Sequence, residues 1–273
     1  HVASPVSALL KAAGANYRIL PGIARGLKDL LRPSRNDLTD ATPYQAPPTM
    51  FNVRISSSRR FAAQSYSLAR IKKVGKALGA TVNDIALAMC AGALRQYLIA
   101  HNALPEHPLI AMVPVSVRAA DGPEGGNAVA VILANLATQI ADPAERIRTI
   151  VASTQRAKER AAAQTAVEQM AYAAAALGPM AATSLLGLDR LRPAFNLVIS
   201  NVPGPAKPLY LNGARLDEAY PVSIPIDGQA LNITLTSYCD QIAFGFTACR
   251  RAVPAMQRLL DFTEAALVEL EAV

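Results

Sequence analysis

The stretch FNLVISNVPGPAKPLYLNGARLDEAYPVSI, residues 195–224, decides the fold that we predict for the chain. It opens with β-branched and aromatic residues, as a buried strand does, and that run stops abruptly at Ser-Asn-Val-Pro-Gly-Pro, residues 200–205. The prolines fix φ and remove donors, while Gly204 permits a left-handed backbone. The pattern therefore predicts a buried strand that ends in a rigid turn, with Ser200 and Asn201 at its mouth.

These two polar residues allow two interpretations. Open α/β sheets hold ligands at strand ends, so Ser200 and Asn201 are candidates for binding or catalysis. In the alternative, the turn is an ordinary corner whose serine and asparagine satisfy local backbone groups. Residue type alone favours the second interpretation.

Further strands lie on both sides of this stretch. Residues 231–238 alternate between apolar and polar, and the turn at 239–241 leads into 242–246, so we predict a hairpin. Residues 109–117 and 127–138 are apolar runs typical of buried strands. Pro114 in the first of these favours an edge position or a bulge.

Two more strands are predicted near the start of the main domain, at 51–55 and 61–68, and a hairpin is one possibility for them. Helical patterns cover 143–163, the alanine-rich region 165–186 and the end of the chain from Pro254. Mixed strands and helices with several hairpins predict an α+β fold, a two-layer sandwich in which helices cover a mixed, largely antiparallel sheet. The alanine-rich region either lines an apolar cavity or packs closely against other helices.

Two helices join the strands at 61–68 and 109–117. Residues 68–78 have helical spacing, and Gly79 follows them as a C-cap would. In the next helix Thr81 or Asn83 serves as the N-cap, and Asp84 lies in the first turn, where a carboxylate suits the helix dipole. We therefore favour an architectural role over a catalytic one for Asn83 and Asp84. Asp142 before Pro143 predicts another N-cap.

The N-terminal residues 1–48 form a unit distinct from the main domain at 49–273. Residues 4–35 carry six basic side chains and one acidic one among leucines and isoleucines, which predicts short basic amphipathic helices. They either lie at a membrane surface or link two domains. Residues 33–48 are rich in proline and polar residues and form the linker or surface loop.

Composition narrows the class of protein. The 273 residues are 52% hydrophobic without any tryptophan, and no apolar run is long enough to span a bilayer. Three cysteines without CxxC spacing indicate a reducing compartment and no metal site. The net charge of +7 suits anionic lipid or coenzyme phosphates, whereas no nucleic-acid-binding signature is present. Arg59 and Arg60 either form a solvated turn or meet the phosphates of a coenzyme.

Several linked motifs resemble one known family. The strings SNVPGP, GARLDEAYPVSI and LNITLTSYCDQIAFGF, and upstream FNVRISSSRRFA, TVNDIALAMCAGALRQYL and PLIAMVPVSVR, match the order and spacing of the C-terminal half of the bacterial wax ester synthase/diacylglycerol acyltransferase family. The resemblance covers roughly residue 51 to the C-terminus. Cys249 and Asp240 depart from the family pattern, which has an acidic residue and a glycine there.

This resemblance implies acyl transfer from acyl-CoA to diacylglycerol or a long-chain alcohol, on the fold shared by chloramphenicol acetyltransferase and condensation domains. The family's HHxxxDG motif, which provides the base, does not occur in this sequence. We therefore expect the base to belong to an N-terminal half, without which this chain is inactive. No cofactor beyond acyl-CoA as co-substrate is implied. The expected location is cytoplasmic, peripheral at the inner membrane or at lipid inclusions.

The resemblance also suggests roles for individual residues. We predict that Ser200 and Asn201 face a tunnel between the halves and that Ser200 donates a hydrogen bond to the substrate carbonyl or the oxyanion. Arg118, Asn232 and Tyr238 are weaker candidates for contacting substrate, and Gly204 joins Asn83 and Asp84 as a structural motif. Two alternatives remain open at this point: a non-catalytic lipid-associated module of the same fold, and an acyltransferase that uses carrier-protein donors.

Overall fold

The computed structural model describes residues 39–116, 129–165, 168–174, 178 and 192–273. In chain order its elements are β1 (Arg59–Ser67), α1 (Leu68–Leu78), α2 (Val82–Ala100), β2 (Ile110–Ser116), β3 (Val129–Asn135), α3 (Pro143–Ala163), β4 (Leu197–Val202), β5 (Tyr210–Leu211), β6 (Ala214–Arg215), β7 (Leu231–Tyr238), β8 (Gln241–Cys249) and α4 (Arg258–Glu271). Residues 168–174 are helical as well. The predicted N-terminal helices at 4–35, Arg118 and most of the alanine-rich region lie outside the described residues.

Six strands form one mixed sheet in the order β1-β8-β7-β4-β2-β3, while β5 and β6 form a separate small hairpin. β4 runs parallel to both of its neighbours, and the other pairs are antiparallel. The predicted hairpin of β7 and β8 is confirmed, with Cys239 and Asp240 as its turn. The predicted α+β class, a mixed and largely antiparallel sheet covered by helices, is confirmed too.

The two faces of the sheet differ in chemistry. On β7, Leu231, Ile233 and Leu235 are buried and share one core cluster with apolar side chains of all four helices. The alternate residues Asn232 and Thr234 are half-buried and lie on the opposite side, which we call the open face. This alternation follows from the two-residue period of a strand, so one face carries the core and the other carries polar groups.

A buried asparagine holds the beginnings of β2 and β4 together. Asn196 Oδ1 accepts a hydrogen bond from Ile110 N at 2.8 Å, and Asn196 N donates to the carbonyl of Ile110 at 2.7 Å. Its Nδ2 donates to the carbonyl of Pro47 at 2.7 Å and to Asn52 Oδ1 at 2.9 Å. Every polar atom of this fully buried amide is thus satisfied, as burial requires.

Asn52 extends the same network, and it explains why the predicted strand at 51–55 is wrong. Its Nδ2 lies 3.1–3.2 Å from three carbonyl oxygens, those of Phe195, Asn196 and Gly228. Residues 49–52 form a turn, closed by the hydrogen bond from Asn52 N to the carbonyl of Thr49, and this turn places the Asn52 side chain beside the start of β4. Of the apolar residues that suggested a strand, Phe51 is buried in the core and Val53 is exposed. β1 consequently pairs with β8 rather than with its own upstream neighbour.

β2 lies inside the sheet, so the predicted tendency of Pro114 toward an edge is not realised. The backbone groups of Ile110 point toward β4, and those of Pro114 point the same way because strands have a period of two. The pairing of β2 with β4 ends at Met112, however, and Pro114 lies beyond it. The donor that proline lacks is therefore not needed.

The predicted helix ends are confirmed. Gly79 caps α1 with a φ of 63°, and Thr81 is the N-cap of α2. Asp84 completes a capping box, since its carboxylate accepts from Thr81 N at 3.0 Å and from the Thr81 hydroxyl at 2.6 Å. The same carboxylate accepts from the hydroxyl of Thr154 on α3 at 2.8 Å. Asp84 therefore joins two helices besides capping one.

The remaining predicted N-cap and the described part of the linker can be placed as well. Asp142 accepts from Ala144 N and Glu145 N at the start of α3, as predicted. At the end of the N-terminal unit, Ala41 and Ala46 are buried in a small second cluster with apolar residues of β2, β3 and the approach to β4. Within the described ranges, no single helix is long and apolar enough to cross a bilayer, although α1 and α2, bent by 100°, pass together on length and composition.

The difference in hydrogen bonding between the side chains of Asp84 and Asn83 can be tested by substitution. Asp84→Ala removes three hydrogen bonds to a carboxylate, so we expect the free energy of unfolding in urea to fall by about 2–3 kcal/mol. Asn83 is half-buried and its side chain has no hydrogen-bond partner among the described residues, so Asn83→Ala should change that free energy by less than about 0.5 kcal/mol. Equal losses in the two variants would contradict this assignment.

Candidate active site

The sheet parts between β2 and β4. These parallel strands share only two register pairs, Ala111 with Leu197 and Met112 with Val198. Beyond them, β2 remains paired only with β3 and β4 only with β7. The two strands therefore leave an opening at their carboxyl ends, between 113–116 and 199–202, which we call the strand opening. The carboxyl ends of strands are where ligands bind in open sheets.

Ser200 and Asn201 both lie on the β4 side of the strand opening. They are consecutive residues of one strand, so their side chains project to opposite faces. Ser200 shares the open face with Thr234, its register partner on β7, whereas Asn201 projects toward the face of the buried Ile199. The two side chains therefore lie on opposite faces of the sheet, and the prediction that both face a tunnel between the halves stays a prediction. Both side chains are half-buried, and neither has a hydrogen-bond partner among the described residues.

Hydroxyl and amide groups continue across the open face from Ser200. The Thr234 hydroxyl donates to Asn232 Oδ1 at 3.0 Å and is hydrogen-bonded to the Ser223 hydroxyl. Asn232 stands opposite Thr247 on β8, whose buried hydroxyl oxygen has no hydrogen-bond partner among the described residues. The face next to Ser200 is therefore a polar surface that can hydrogen-bond a ligand.

The turn after β4 is fixed by close packing. Gly204 N donates to the Ser237 hydroxyl at 3.1 Å, and a Cβ on Gly204 would lie 2.0 Å from the carbonyl oxygen of Ser237. Gly204 is not among the residues with positive φ, so the left-handed backbone that glycine permits is not used here. Glycine is required here because the turn lies directly against the end of β7.

Residues 202–226, which we call the exposed arm, follow this turn. Nine of the fifteen exposed large hydrophobic side chains of the described residues belong to it: Val202, Leu209, Tyr210, Leu211, Leu216, Tyr220, Val222, Ile224 and Ile226. The strands β5 and β6 lie in the arm and are exposed throughout. An exposed apolar surface of this density marks an interaction site.

Besides the Ser223–Thr234 and Gly204–Ser237 hydrogen bonds, contacts of Tyr238 and Pro221 attach the arm to the sheet. The hydroxyl of the buried Tyr238 accepts from Leu209 N at 2.9 Å and donates to the carbonyl of Leu216 at 2.7 Å, so it joins both sides of the hairpin. Farther along, the carbonyl of Pro221 packs over Gly245, where a Cβ would lie 1.9 Å from its oxygen. The Tyr238 hydroxyl is thus committed to the arm, and a contact between Tyr238 and substrate stays a prediction.

Basic residues cluster at the opposite end of the same strands. Arg59 pairs with Cys249, and Arg250 N donates to the carbonyl of Ser58 at 3.1 Å, so the start of β1 lies beside the end of β8. We call Arg59, Arg60, Arg250 and Arg251 the arginine corner. Arg60 is half-buried and the other three are exposed. In the part of the chain that the structure describes, none of the four has an acidic ion-pair partner.

Cys249 lies beneath this corner and is 1% exposed. Its sulfur accepts a hydrogen bond from Ser56 N at 3.4 Å and lies 3.5 Å from the Ser56 hydroxyl. Burial raises the pKa of the thiol, but hydrogen bonds from Ser56 and from the backbone N–H groups of Arg251 and Ala252 outweigh it and bring the pKa to about 7. The donors that converge here favour negative charge.

Comparison with known proteins decides the family. The model described as WS/DGAT C-terminal domain matches residues 125–271, and the wax ester synthase/diacylglycerol acyltransferase catalytic domain matches residues 2–86. The chain belongs to the wax ester synthase/diacylglycerol acyltransferase family. It is 52% identical over 221 residues to the O-acyltransferase WSD of Acinetobacter baylyi, an alignment that covers 81% of this chain and 48% of that protein.

Other members of the acyltransferase family agree. A probable diacylglycerol O-acyltransferase of Mycobacterium tuberculosis is 48% identical over 270 residues, which cover 98% of this chain and 59% of the relative. The solved wax ester synthase/diacylglycerol acyltransferase from Marinobacter aquaeolei is 45% identical with a TM-score of 0.73, covering 93% of this chain and 55% of that structure. The chain thus spans about half the length of these relatives.

More distant structures show the same fold. The starter condensation domain of rhizomide synthetase superposes with a TM-score of 0.53 at 15% identity, over 97% of this chain and 56% of that domain. The sheet of this acyltransferase-family member is therefore the one that condensation domains use, as the motifs implied.

The structure brings Ser200 and Asn232 to one face, separates Asn201 from them, and gives Asp84 a capping role. Sequence reasoning missed the amide network of Asn52 and Asn196, whose side chains are polar in otherwise apolar stretches, a signal that could have been used. It also missed that Arg250 and Arg251 join Arg59 and Arg60, because 190 residues separate the two pairs.

The pKa of the Cys249 thiol tests whether the Ser56 hydroxyl stabilises the thiolate. In a Cys239→Ser background, Ser56→Ala should raise the thiol pKa of Cys249 from about 7 toward the ordinary value near 8.5, since a hydrogen bond to the thiolate is lost. Cys90 does not interfere, because its burial raises its pKa beyond this range. Ultraviolet absorbance of the thiolate during a pH titration measures the shift.

The lowered pKa of Cys249 also predicts how the stability of the protein depends on pH. Because the folded protein favours the thiolate, the stability that Cys249 contributes is complete above about pH 8.5 and is lost as the pH falls through about 7. Cys249→Ser should therefore flatten the dependence of the unfolding free energy on pH in this window. A titration that Ser56→Ala leaves unchanged would show that the hydroxyl does not stabilise the thiolate.

Proposed function

We propose that this chain is the C-terminal half of an O-acyltransferase that moves a fatty acyl group from acyl-CoA to diacylglycerol or a long-chain alcohol. The observation that carries the proposal is a strand opening in a member of this family, lined by a serine whose hydroxyl has no partner among the described residues. The chain spans 48% and 59% of two O-acyltransferase relatives, and HHxxxDG is absent from it. An N-terminal half therefore supplies the base.

The chemistry needs two functions. The base removes the proton of the acceptor hydroxyl, whose oxygen attacks the thioester carbonyl carbon and forms a tetrahedral oxyanion. The intermediate then collapses, the C–S bond breaks, the ester forms, and the CoA thiolate leaves and takes up the proton. The Ser200 hydroxyl donates a hydrogen bond to the oxyanion. A partly buried donor is effective because it is oriented before the charge develops.

The other candidates have graded support. Asn232 shares the open face with Ser200 and lies one strand away, so it contacts the acyl or acceptor portion. Asn201 reaches the strand opening from the core side and contacts the substrate there. Arg118 follows β2, which forms the other side of the opening. We propose no cofactor beyond acyl-CoA, and a location at the inner membrane or at lipid inclusions, where water-insoluble acceptors concentrate.

The exposed arm is the surface that we assign to the N-terminal half. It gathers nine exposed apolar side chains on one segment, and the free edges of its hairpin can pair with a strand of the partner. Tyr238 fixes the base of the hairpin, so the arm meets its partner preorganised, which lowers the entropy lost on association.

Ser200→Ala in the two-half enzyme tests the catalytic assignment. Loss of an oxyanion donor should reduce kcat by roughly 100-fold to 1000-fold, about 2.7–4 kcal/mol, while KM and the unfolding free energy change little. Ser200→Thr keeps a hydroxyl and serves as the matched control, expected to retain much more activity than the alanine variant. The assay follows ester formation from acyl-CoA and diacylglycerol. Wild-type kcat in Ser200→Ala would contradict the role, and turnover by this chain alone would contradict the need for a second half.

The arm assignment is tested by association of the two halves produced separately. Leu211→Asp and Val222→Asp, at side chains 77% and 68% exposed, should each raise the dissociation constant at least about tenfold, because a charge must be desolvated at an apolar contact. Val268→Asp on α4, at a side chain 51% exposed, is the control outside the arm. Calorimetric titration gives the constants. An equal effect of Val268→Asp, or no effect of either arm variant, would refute the assignment.

A further inference from the structure

The arginine corner has apolar neighbours that an ordinary solvated charge cluster does not need. Phe61 lies two residues after Arg59 on the same face of β1, and its ring is 41% exposed. Val53 precedes the loop that carries Ser56 and is 40% exposed. One end of the sheet therefore presents four arginines without acidic ion-pair partners in the described residues, together with two exposed apolar side chains. Arg59 lies on the face of Phe61, and Arg60 projects to the opposite face.

We propose that the arginine corner, with Phe61 and Val53, is a docking site for an anionic lipid surface. Long basic side chains place their charged groups among headgroup phosphates while their stems and nearby apolar residues reach the acyl boundary. Each arginine near an anionic leaflet contributes about 1 kcal/mol. One guanidinium can also donate two parallel hydrogen bonds to the oxygens of one phosphate, and this bidentate geometry strengthens the contact.

The observations favour a surface over a soluble nucleotide. Three of the four arginines are exposed, and exposed apolar side chains lie beside them, whereas a nucleotide pocket would enclose its ligand. The lowered pKa of Cys249 agrees that this corner favours negative charge, since the backbone N–H and the hydroxyl of Ser56 both lie against its sulfur. The site lies at the start of β1 and the end of β8, away from the strand opening, so its occupation leaves Ser200 accessible.

This inference rests on the proposed location at a membrane, which supplies the lipid surface. It does not depend on the proposed acyl-transfer chemistry. Its tests therefore measure binding of the chain to vesicles. If the two-half enzyme forms no ester in detergent solution, the proposed function fails whatever the vesicles show. If the enzyme is active and the corner does not bind vesicles, only this inference fails.

A single introduced tryptophan reports the contact. The sequence contains no tryptophan, so Phe61→Trp places one indole beside the arginines. With vesicles of phosphatidylcholine containing phosphatidylglycerol, its emission should shift to shorter wavelength, and high salt should reverse the shift because it screens the headgroups. Vesicles of phosphatidylcholine alone should give no shift. Sedimentation of the chain with anionic vesicles without any shift at position 61 would overturn the proposal, because another surface would then hold the membrane.

Matched charge variants test the arginines. Arg250→Gln with Arg251→Gln should lower the partition coefficient onto anionic vesicles about thirty-fold at low salt, which corresponds to two side chains at about 1 kcal/mol each. Lys72→Gln with Lys73→Gln on α1, at the far end of β1, removes the same charge from exposed positions and should lower it far less. Equal losses in the two double variants would show a general charge effect and refute the site.

Coenzyme A tests whether the arginine corner binds the phosphates of a nucleotide instead of those of a lipid surface. In the Phe61→Trp protein without vesicles, coenzyme A should leave the emission unchanged, and in the presence of anionic vesicles it should not displace the chain. If coenzyme A at micromolar concentration changes the emission and releases the chain from vesicles, the corner binds the nucleotide phosphates and the lipid proposal is wrong.

Discussion

The joining of β2 and β4 at one end only is the constraint on which the site depends. Asn196 satisfies its buried amide by accepting from Ile110 N and donating to Pro47 and Asn52, so the two strands cannot separate where they begin. Leaving such groups unpaired in the core costs about 1–3 kcal/mol each. Two register pairs later the strands diverge. The opening therefore lies at their carboxyl ends, where Ser200 is located.

Local signals predicted much of the fold. The capping box of Thr81 and Asp84, the C-cap at Gly79 and the N-cap at Asp142 depend on residues at most a few positions apart, and the sequence contains all of that information. The β7–β8 hairpin followed from alternation and a short turn. The mixture of strand and helix patterns predicted the fold class, which the six-stranded sheet of mixed direction confirms.

The errors arise where distant residues meet. Asn52 is a turn residue because three carbonyl groups, one of them 176 positions away, surround its amide. Gly204 is needed because Ser237 lies against it, which no pattern around the turn reveals. The opposite orientation of Ser200 and Asn201, in contrast, follows from the period of any strand. The relative orientation of the two candidate residues was thus open to prediction from the sequence, and their roles stay predictions.

The pairing of β1 with β8 has a consequence for how the polypeptide acquires its shape. Residues 59–67 of β1 pair with residues 241–249 of β8, which the ribosome adds almost two hundred positions later. Such distant pairing slows folding, since a long loop must close before any contact forms. During synthesis β1 therefore stays unpaired with β8 until β8 has emerged from the ribosome. Protection of nascent chains from aggregation matters most over this interval.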